Sequence, residues 1–298
     1  MTEQRFGMIA LLGAPNVGKS TLVNALVGQK VAIVTAKVQT TRARLRGIAH
    51  HANTQMVLID TPGVFAPRRR LDRAMARAAW RESRSADARC VLIDAGRGLN
   101  EESEAVLSGL RERKTEALCV INKIDRVRRD TLLHLIDELR SNPLLTDFFL
   151  ISALHGDGLD ELRAALADRC PKGVWHYPPD QAADVPLRML AAECVREQAY
   201  IQLHQELPYD LATETVSWKD LPDGSARVDV CVLVCRPSQK PIVIGQGGRR
   251  IRSISTAARH ALSEAAACQV HLFVHVKVDP SWQDRQEHYD ALGLEFIT

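Results

Sequence analysis

The chain has 298 residues and a formal net charge of +3, with 46% hydrophobic and 25% charged residues. This length predicts two domains, each able to bury its own core, and so small a net charge does not by itself identify a nucleic-acid partner. No apolar run approaches the ~18 residues of a membrane span, and no signal peptide is visible at the N-terminus. The seven cysteines include no C-x-x-C pair, and their odd number argues against a complete disulfide framework.

The first predicted strand, 8–12, leads into the motif G-x-x-x-x-G-K-[ST], and a helical segment follows from residue 21. This is the strand–loop–helix arrangement of a phosphate-binding loop, in which backbone N–H groups and the helix dipole favour an anion. We expect Lys19 to reach the β- and γ-phosphates and the Ser20 hydroxyl to ligate Mg²⁺. The predicted nucleotide-binding residues of this segment are Gly13, Asn16, Val17, Gly18, Lys19, Ser20 and Thr21.

A second predicted strand, 56–60, ends in a carboxylate and runs into Thr61-Pro62-Gly63. We expect Asp60 to hold Mg²⁺ through water and the Gly63 N–H to meet the γ-phosphate. The next position is Val64, where Ras-like proteins carry a glutamine that orients the attacking water. An apolar side chain cannot do this, so intrinsic hydrolysis should be slow and should need a partner, another residue or a bound cation.

The following segment, 67–84, carries seven arginines against two acidic residues. Apolar residues at 71, 75, 78 and 79 suggest a helix with one modestly apolar face. Two interpretations stay open at this point: a solvated basic helix, or a surface that contacts phosphates on RNA or the ribosome.

The motif N-K-x-D at Asn122-Lys123-Ile124-Asp125 follows an apolar run, 117–121, that is typical of a buried strand. In a parallel sheet the carboxyl ends of the strands meet at the ligand-binding edge. The Asp125 carboxylate can accept hydrogen bonds from N1–H and the 2-amino group of guanine, whereas adenine offers no such pair of donors. A later strand ends near Ser152, where the Ala153 N–H could contact guanine O6. The sequence therefore predicts guanine specificity.

The second half of the chain follows a proline-rich linker and contains the motif G-x-x-G. The motif is predicted to follow a short apolar strand, 242–244, and to open a helix, which would bring backbone amides close to about four single-stranded nucleotides. Residues 236–260 include six basic residues and no acidic one, which favours phosphate binding over a solvated basic face. The predicted RNA-binding residues are Gly245, Gln246, Gly247, Gly248, Arg249, Arg250 and Arg252.

The elements around this motif are predicted as a helix over 187–204, strands over 211–218 and 226–235, a helix over 251–267 and a strand over 269–278. The order α–β–β–(G-x-x-G)–α–β fits a K-homology (KH) domain of the bacterial type.

These motifs together resemble a translation-factor-class GTPase, through G-x-P-N-V-G-K-S, T-T-R, D-T-P-G, N-K-x-D and S-A in this order. In that class a threonine of the first switch caps Mg²⁺ and senses the γ-phosphate, and the resemblance assigns this role to Thr41 in preference to Thr40. The residues alone would also fit a polar loop. Relatives use an asparagine at the position of Asn16 to hold K⁺ near the phosphates, although Asn16 could equally cap the local turn.

A GTPase followed by a type 2 KH domain resembles the Era-like family of bacterial ribosome-assembly GTPases, from about residue 7 to residue 277. The resemblance implies an α/β P-loop GTPase domain at 1–170, with a mostly parallel sheet flanked by helices. A linker at 171–186, an α+β type 2 KH domain at 187–278 and a C-terminal tail at 279–298 would follow.

The same resemblance implies slow hydrolysis of GTP to GDP with Mg²⁺, in which Lys19, Thr41 and Gly63 are catalytic and Ser20, Thr41 and Asp60 serve the metal. It implies a cytoplasmic monomer that binds single-stranded RNA at the 3′ end of 16S ribosomal RNA on the 30S subunit and associates peripherally with the inner membrane. Two other functions stay open: a GTPase of another RNA-maturation step, and an RNA-binding protein whose nucleotide domain only binds GTP.

Overall fold

The computed structural model describes residues 3–34, 45–61, 63, 70–184, 186–203, 207–292 and 294–296. The chain divides into two compact units. The first comprises Met1–Ala32, Val38–Asp184 and Leu292–Thr298, and the second comprises Ile33–Lys37 and Val185–Ala291. The segment predicted as a C-terminal tail is thus shared, since 279–291 clusters with the second unit and 292–298 with the first.

A six-stranded sheet with the order β2-β3-β1-β4-β5-β6 forms the centre of the first unit. β2 is antiparallel to β3, and all other neighbours in this sheet are parallel. The strands are β1 (Arg5–Gly13), β2 (Leu45–His51), β3 (Thr54–Asp60), β4 (Ala88–Asp94), β5 (Ala117–Asn122) and β6 (Leu145–Ile151). Because side chains alternate between the two faces of a strand, near-continuous apolar runs such as 8–12 require cover on both faces.

Helices provide this cover on both sides of the sheet. The helices are α1 (Lys19–Val27), α2 (Arg70–Ser85), α3 (Glu101–Arg113), α4 (Arg129–Arg140) and α5 (Leu159–Arg169). One core joins Ile9 and Leu11 of β1 to Leu22 of α1 and Leu162 of α5. The other core joins Leu12 of the same strand to residues of α2, α3 and α4. The mostly parallel, helix-flanked α/β sheet that the sequence predicts is confirmed.

The linker after α5 is held against the first unit near the start of β3. The Trp175 indole N–H donates to the Asn53 carbonyl (3.1 Å), and the Gln55 side chain bonds the backbone of both His176 and Tyr177. The Tyr177 hydroxyl donates to Asp184 (2.8 Å). Gln55 is fully buried, so this proline-interrupted segment has a defined path.

The second unit is a three-stranded sheet covered by helices on one face. It contains α6 (Leu187–Gln202), β7 (Leu211–Asp220), β8 (Ala226–Val234), α7 (Gln239–Ile244), α8 (Arg249–Ala265), β9 (Val270–Val278) and α9 (Gln286–Ala291). β8 pairs antiparallel with β7 and parallel with β9. Val195, Ile254 and Val230 meet in its core, and Trp282 packs with Ala212, Cys231 and Leu233 in a smaller cluster. In the described part of the chain, no helix is long and apolar enough to cross a membrane.

One predicted element of this unit is wrong. The run 242–244, predicted as a short apolar strand, is the last part of helix α7. Pro241 is compatible with this helix because the N–H groups of the first turn have no intrahelical acceptor. Val243 is fully buried in the core, and the Gly245 N–H donates to the Pro241 carbonyl (2.8 Å) where the helix ends. Tertiary packing thus overrides the local strand preference.

Candidate nucleotide and RNA sites

The loop between β1 and α1 requires glycine at two positions. Gly18 has a φ of 102°, and a Cβ there would lie 2.3 Å from Nδ2 of Asn122. Gly13 has a φ of 155°, and its Cβ would lie 2.8 Å from the Leu92 carbonyl oxygen. Only glycine adopts these conformations with neighbouring atoms so close. The two glycines therefore allow the loop to pack tightly onto the end of the sheet. This is the shape that a phosphate cradle needs.

Lys19 lies inside this loop with only 6% of its surface exposed. Its ammonium group donates to the carbonyl oxygens of Gly13 and Ala14, both at 3.0 Å. Burial lowers the pKa of Lys19 to about 8, although the charges of Asp60 and Glu102 partly oppose the effect. A buried and poorly hydrated cation is suited to an anion that can replace its lost hydration.

Oxygen donors suited to Mg²⁺ lie next to the loop. The Ser20 hydroxyl donates to a carboxylate oxygen of Asp60 (2.7 Å), and Asp60 is fully buried at the end of β3. A hydroxyl and a carboxylate are the hard oxygen ligands that Mg²⁺ prefers, so the donor set fits this ion. Gly63 lies against the loop, since a Cβ there would lie 3.0 Å from the Pro15 nitrogen. Thr40, Thr41 and Val64 lie outside the described residues.

Asn122 joins the phosphate loop to the segment after β6. Its side-chain amide donates to the Val17 carbonyl (2.8 Å), and its side-chain oxygen accepts from the N–H groups of Lys123 (2.8 Å) and Ala153 (3.0 Å). The residue is 2% exposed. Asn122 therefore links the phosphate loop, the segment after β5 and the segment after β6. In the structure the Ala153 N–H donates to Asn122 and not to a ligand. Its contact with guanine O6 stays a prediction.

The Asp125 carboxylate is oriented by Ser152, whose hydroxyl donates to it at 2.6 Å. This hydrogen bond is the main reason why the pKa of Asp125 is below its ordinary value, with smaller contributions from its own backbone N–H, His155 and Arg126. Ser152 is fully buried. The arrangement keeps Asp125 ionised, which is the state that can accept two hydrogen bonds from a guanine edge.

We expect Ser152→Ala to shift the acid limb of guanine-nucleotide affinity to higher pH. Guanine donates to the ionised carboxylate, so affinity is lost as pH falls through the pKa of Asp125, and removing the Ser152 hydroxyl raises that pKa. At neutral pH the lost orientation should weaken binding by about 5-fold, equivalent to ~1 kcal/mol. Fluorescent-GDP titrations from acid to neutral pH measure both effects. Ser141→Ala, which removes a hydroxyl at the end of α4, is the matched control, and coincident acid limbs would contradict the expectation.

Asp94 is a buried acidic residue beside the phosphate loop and the N-K-x-D segment, and the sequence analysis missed it. Asp94 ends β4 and pairs with the Lys123 ammonium (2.6 Å), which also donates to the Asn16 carbonyl (2.5 Å). Asn16 has a positive φ of 64°, and this bond helps to hold it there. The run 90–93 followed by Asp94 is the same pattern that identified Asp60, so an apolar strand ending in a carboxylate was the available signal.

The polar groups meet because the parallel strands of the first unit end at one edge. β1 leads into the phosphate loop, and β3, β4 and β5 end in Asp60, Asp94 and Asn122. Ser152 follows β6. The predicted RNA-binding residues belong to the second unit and are brought together around the start of α8.

The G-x-x-G loop connects α7 to α8. Gly245, Gly247 and Gly248 have φ values of 72°, 58° and 73°, and a Cβ at either of the last two would meet no atom within 4 Å. Arg249 and Arg252 are exposed on the first turn of α8 and Arg250 is half-buried. Among the described residues, none of the six basic groups of 236–260 forms an ion pair with a carboxylate. An open loop, a helix N-terminus and uncompensated arginines are suited to a sugar–phosphate chain.

Comparisons with known proteins agree with this division of the chain. Residues 8–123 match the family described as "50S ribosome-binding GTPase", and residues 206–283 match the KH domain family. GTPase Era of Erythrobacter litoralis is 50% identical over 100% of both chains. GTPase Era of Afipia carboxidovorans is 52% identical over 98% of this chain and 95% of its own.

Two solved structures cover almost the whole chain. One is a crystal structure of Era in complex with MgGDPNP and nucleotides 1506–1542 of 16S ribosomal RNA, with a TM-score of 0.91, 36% identity and coverage of 97% of this chain and 99% of that chain. The other is a point variant of Aquifex aeolicus Era bound to GDP·AlF4⁻, with the same TM-score, identity and coverage. With a P-loop GTPase unit, a KH unit and relatives of about half-identical sequence along its full length, the chain belongs to the Era family of GTPases.

Proposed function

We propose that this GTPase is a nucleotide-controlled switch in assembly of the 30S ribosomal subunit, and that it binds single-stranded RNA at the 3′ end of 16S ribosomal RNA. The observation that carries the proposal is the presence, in one chain, of a buried guanine-nucleotide site and an open G-x-x-G loop with uncompensated arginines. The related Era that was crystallised with MgGDPNP and nucleotides 1506–1542 of 16S ribosomal RNA supports it.

In the nucleotide site, we assign the β- and γ-phosphates to Lys19 and to the loop amides of residues 13–21. Ser20, Asp60 and Thr41 would hold Mg²⁺, which when bound supplies positive charge to the phosphate oxygens. Gly63 would donate its N–H to the γ-phosphate. The guanine base would be bound by Asp125, with Asn122, Lys123, Ser152 and Ala153 shaping its pocket.

Hydrolysis in such a site depends on electrostatic stabilisation and on position. Lys19 is already held by the Gly13 and Ala14 carbonyls, so it would offer its positive charge with little reorganisation during the reaction. The loop orientation of Asn16, held through its carbonyl by Lys123, would let its side chain bind K⁺ beside the phosphates. This cation would supply the charge that an arginine finger supplies in other GTPases.

In the KH unit, we assign RNA binding to residues 245–250 and Arg252. The loop would clamp the sugar–phosphate chain through its backbone, and the arginines would neutralise phosphates. We further propose that the protein acts as a monomer in the cytoplasm and that its contact with the inner membrane is peripheral.

The test is GTP hydrolysis by the full chain, with and without a single-stranded RNA of the 16S 3′ sequence, in K⁺ and in Na⁺ buffer. We expect slow basal hydrolysis, stimulation by the RNA, and a rate on the order of 10-fold higher in K⁺. Gly247→Asp should abolish the RNA response, because the side chain enters open space and places a carboxylate where phosphates bind. Asn16→Gly keeps the positive φ but should remove the advantage of K⁺.

RNA that binds tightly but never changes the hydrolysis rate would contradict the switch. Equal affinity of the parent protein and Gly247→Asp for the RNA would contradict the assignment of the G-x-x-G loop. Thermal unfolding of each variant is the control for folding.

A further inference from the structure

Helix α2 has two faces of opposite character. Five of its apolar residues are buried: Leu71, Ala74, Met75, Ala78 and Ala79. Its two acidic residues, Asp72 and Glu82, are also buried, with 3% and 6% of their surfaces exposed. The exposed face carries Arg73, Arg77, Arg81 and Arg84, which we call the arginine stripe. At spacings of four, four and three residues these side chains lie on one face and extend over about 16 Å of helix.

The arginine stripe is electrically uncompensated. Within the described part of the chain, none of its four side chains forms an ion pair with a carboxylate. Arginines elsewhere in the same unit do: Arg97 pairs with Glu102 (3.1 Å), Arg111 with Glu104 (3.0 Å) and Arg128 with Asp130 (3.4 Å). The stripe therefore concentrates positive charge on one rigid helix, whereas paired surface arginines largely cancel.

The chemistry of this face selects among anionic partners. An amphipathic helix that inserts into a membrane surface needs an exposed apolar edge, which α2 does not offer because most of its apolar side chains are buried. Single-stranded RNA is bound largely by stacking on aromatic rings. The one aromatic residue of α2, Trp80, instead packs against Gly109 of α3 and under the Arg113 guanidinium at 4.3 Å. What this face offers is a straight, regular row of guanidinium groups.

We propose that the arginine stripe binds the phosphate backbone of double-stranded RNA, without regard to sequence. A duplex presents its phosphates in a regular row, and guanidinium groups match phosphate oxygens in pairs. α2 begins shortly after Gly63, so the surface lies close along the chain to the segment that would meet the γ-phosphate. The inference goes beyond the G-x-x-G loop and does not depend on it.

The test compares Arg77→Ala/Arg81→Ala with Arg111→Ala/Arg128→Ala in the full chain with a GTP analogue bound. Both double variants remove two exposed positive charges, but only the first removes uncompensated ones. Affinity for a blunt-ended RNA duplex of unrelated sequence is measured by fluorescence anisotropy between about 50 and 200 mM salt. The stripe variant should bind at least ~10-fold more weakly, and the slope of log K against log[salt] should fall by about two.

Several outcomes separate this proposal from its alternatives. Arg77→Lys/Arg81→Lys should retain most of the salt slope, and the stripe variant should bind single-stranded 16S 3′ RNA and hydrolyse GTP as the parent protein does. Equal losses in the two alanine variants would overturn the proposal, because net charge alone would then explain binding. Unchanged duplex affinity combined with lost binding to poly-glutamate or to phosphatidylglycerol vesicles would overturn it in favour of an acidic protein or a membrane. A wrong assignment of single-stranded RNA to the G-x-x-G loop would be revealed by the Gly247→Asp variant and would leave these duplex measurements unchanged.

Discussion

Asp125→Asn is expected to lower the affinity for GTP by about 10²- to 10⁴-fold, because two hydrogen bonds to a charged acceptor, each worth ~1.5–3 kcal/mol, are lost. The carboxylate lies in a short 3-10 helix just after β5, and the hydrogen bond from the buried Ser152 hydroxyl orients it. An amide in the same place presents N–H groups to the N1–H and 2-amino donors of guanine. Donor then faces donor at the base edge.

The same substitution should create affinity for xanthosine triphosphate, in which a carbonyl oxygen replaces the 2-amino group of guanine. The new amide N–H can donate to that oxygen, so preference should reverse rather than simply vanish. Competition between labelled GDP and the two triphosphates measures this reversal. Asp130→Asn, which changes an exposed carboxylate paired with Arg128, is the matched control. Loss of GTP binding with no gain for the xanthine nucleotide would argue that Asp125 supports the fold of the loop instead of reading the base.

Lys19→Met should reduce hydrolysis at saturating Mg²⁺ by at least 10³-fold and GTP affinity by about 10²-fold, because a buried cation that faces the transferred phosphate is removed. The substituted side chain is similar in length but cannot donate to the carbonyls of Gly13 and Ala14. Burial already disfavours the charged form of Lys19 in the ligand-free protein. Thermal stability without nucleotide should therefore change little, and the loss should be one of function. Lys172→Met, an exposed lysine paired with Glu3, is the control.

The lowered pKa of Lys19 also predicts a basic limit to nucleotide binding. The phosphates bind the protonated ammonium and raise its pKa, so affinity is full below about pH 8 and declines as pH rises through that value. Binding above that pH should be accompanied by proton uptake. Calorimetric titrations of GDP in buffers of different ionisation enthalpy measure the uptake directly. Between neutral pH and about pH 9, where guanine still carries its N1–H, Lys19→Met should show neither the decline nor the uptake, and a parent protein whose affinity is flat over that range would contradict the expectation.

The nucleotide site could be predicted in large part because its chemistry depends on residues that are adjacent in sequence. A phosphate loop needs glycine at fixed offsets before a lysine and a helix start, and Gly13 and Gly18 occupy conformations that other residues rarely adopt. The strand ends at Asp60 and Asn122 follow from apolar runs that must be buried. In the second unit, the helix α6, the strands β7 to β9 and the helix α8 also follow from periodicity.

Predictions that failed or were incomplete concern contacts between distant residues. The segment 242–244 forms a helix because Val243 packs into a core assembled from the rest of the second unit. Asn122, predicted as the first residue of the guanine-specificity motif, also ties the Val17 carbonyl to the Ala153 amide across more than a hundred residues of chain. Asp94 was overlooked although it bears the same signal as Asp60.

The sequence by itself determined that this protein binds a guanine nucleotide and carries a KH module, because short motifs place the required backbone conformations and functional groups at fixed spacing. Tertiary structure alone decided which charges are compensated. Among the described residues the arginine stripe of α2 meets no carboxylate, because the two acidic residues of its own helix, Asp72 and Glu82, are buried and not exposed beside it. It also lowered the pKa of Lys19, because desolvation depends on every group packed around the ammonium and not on its neighbours in the chain.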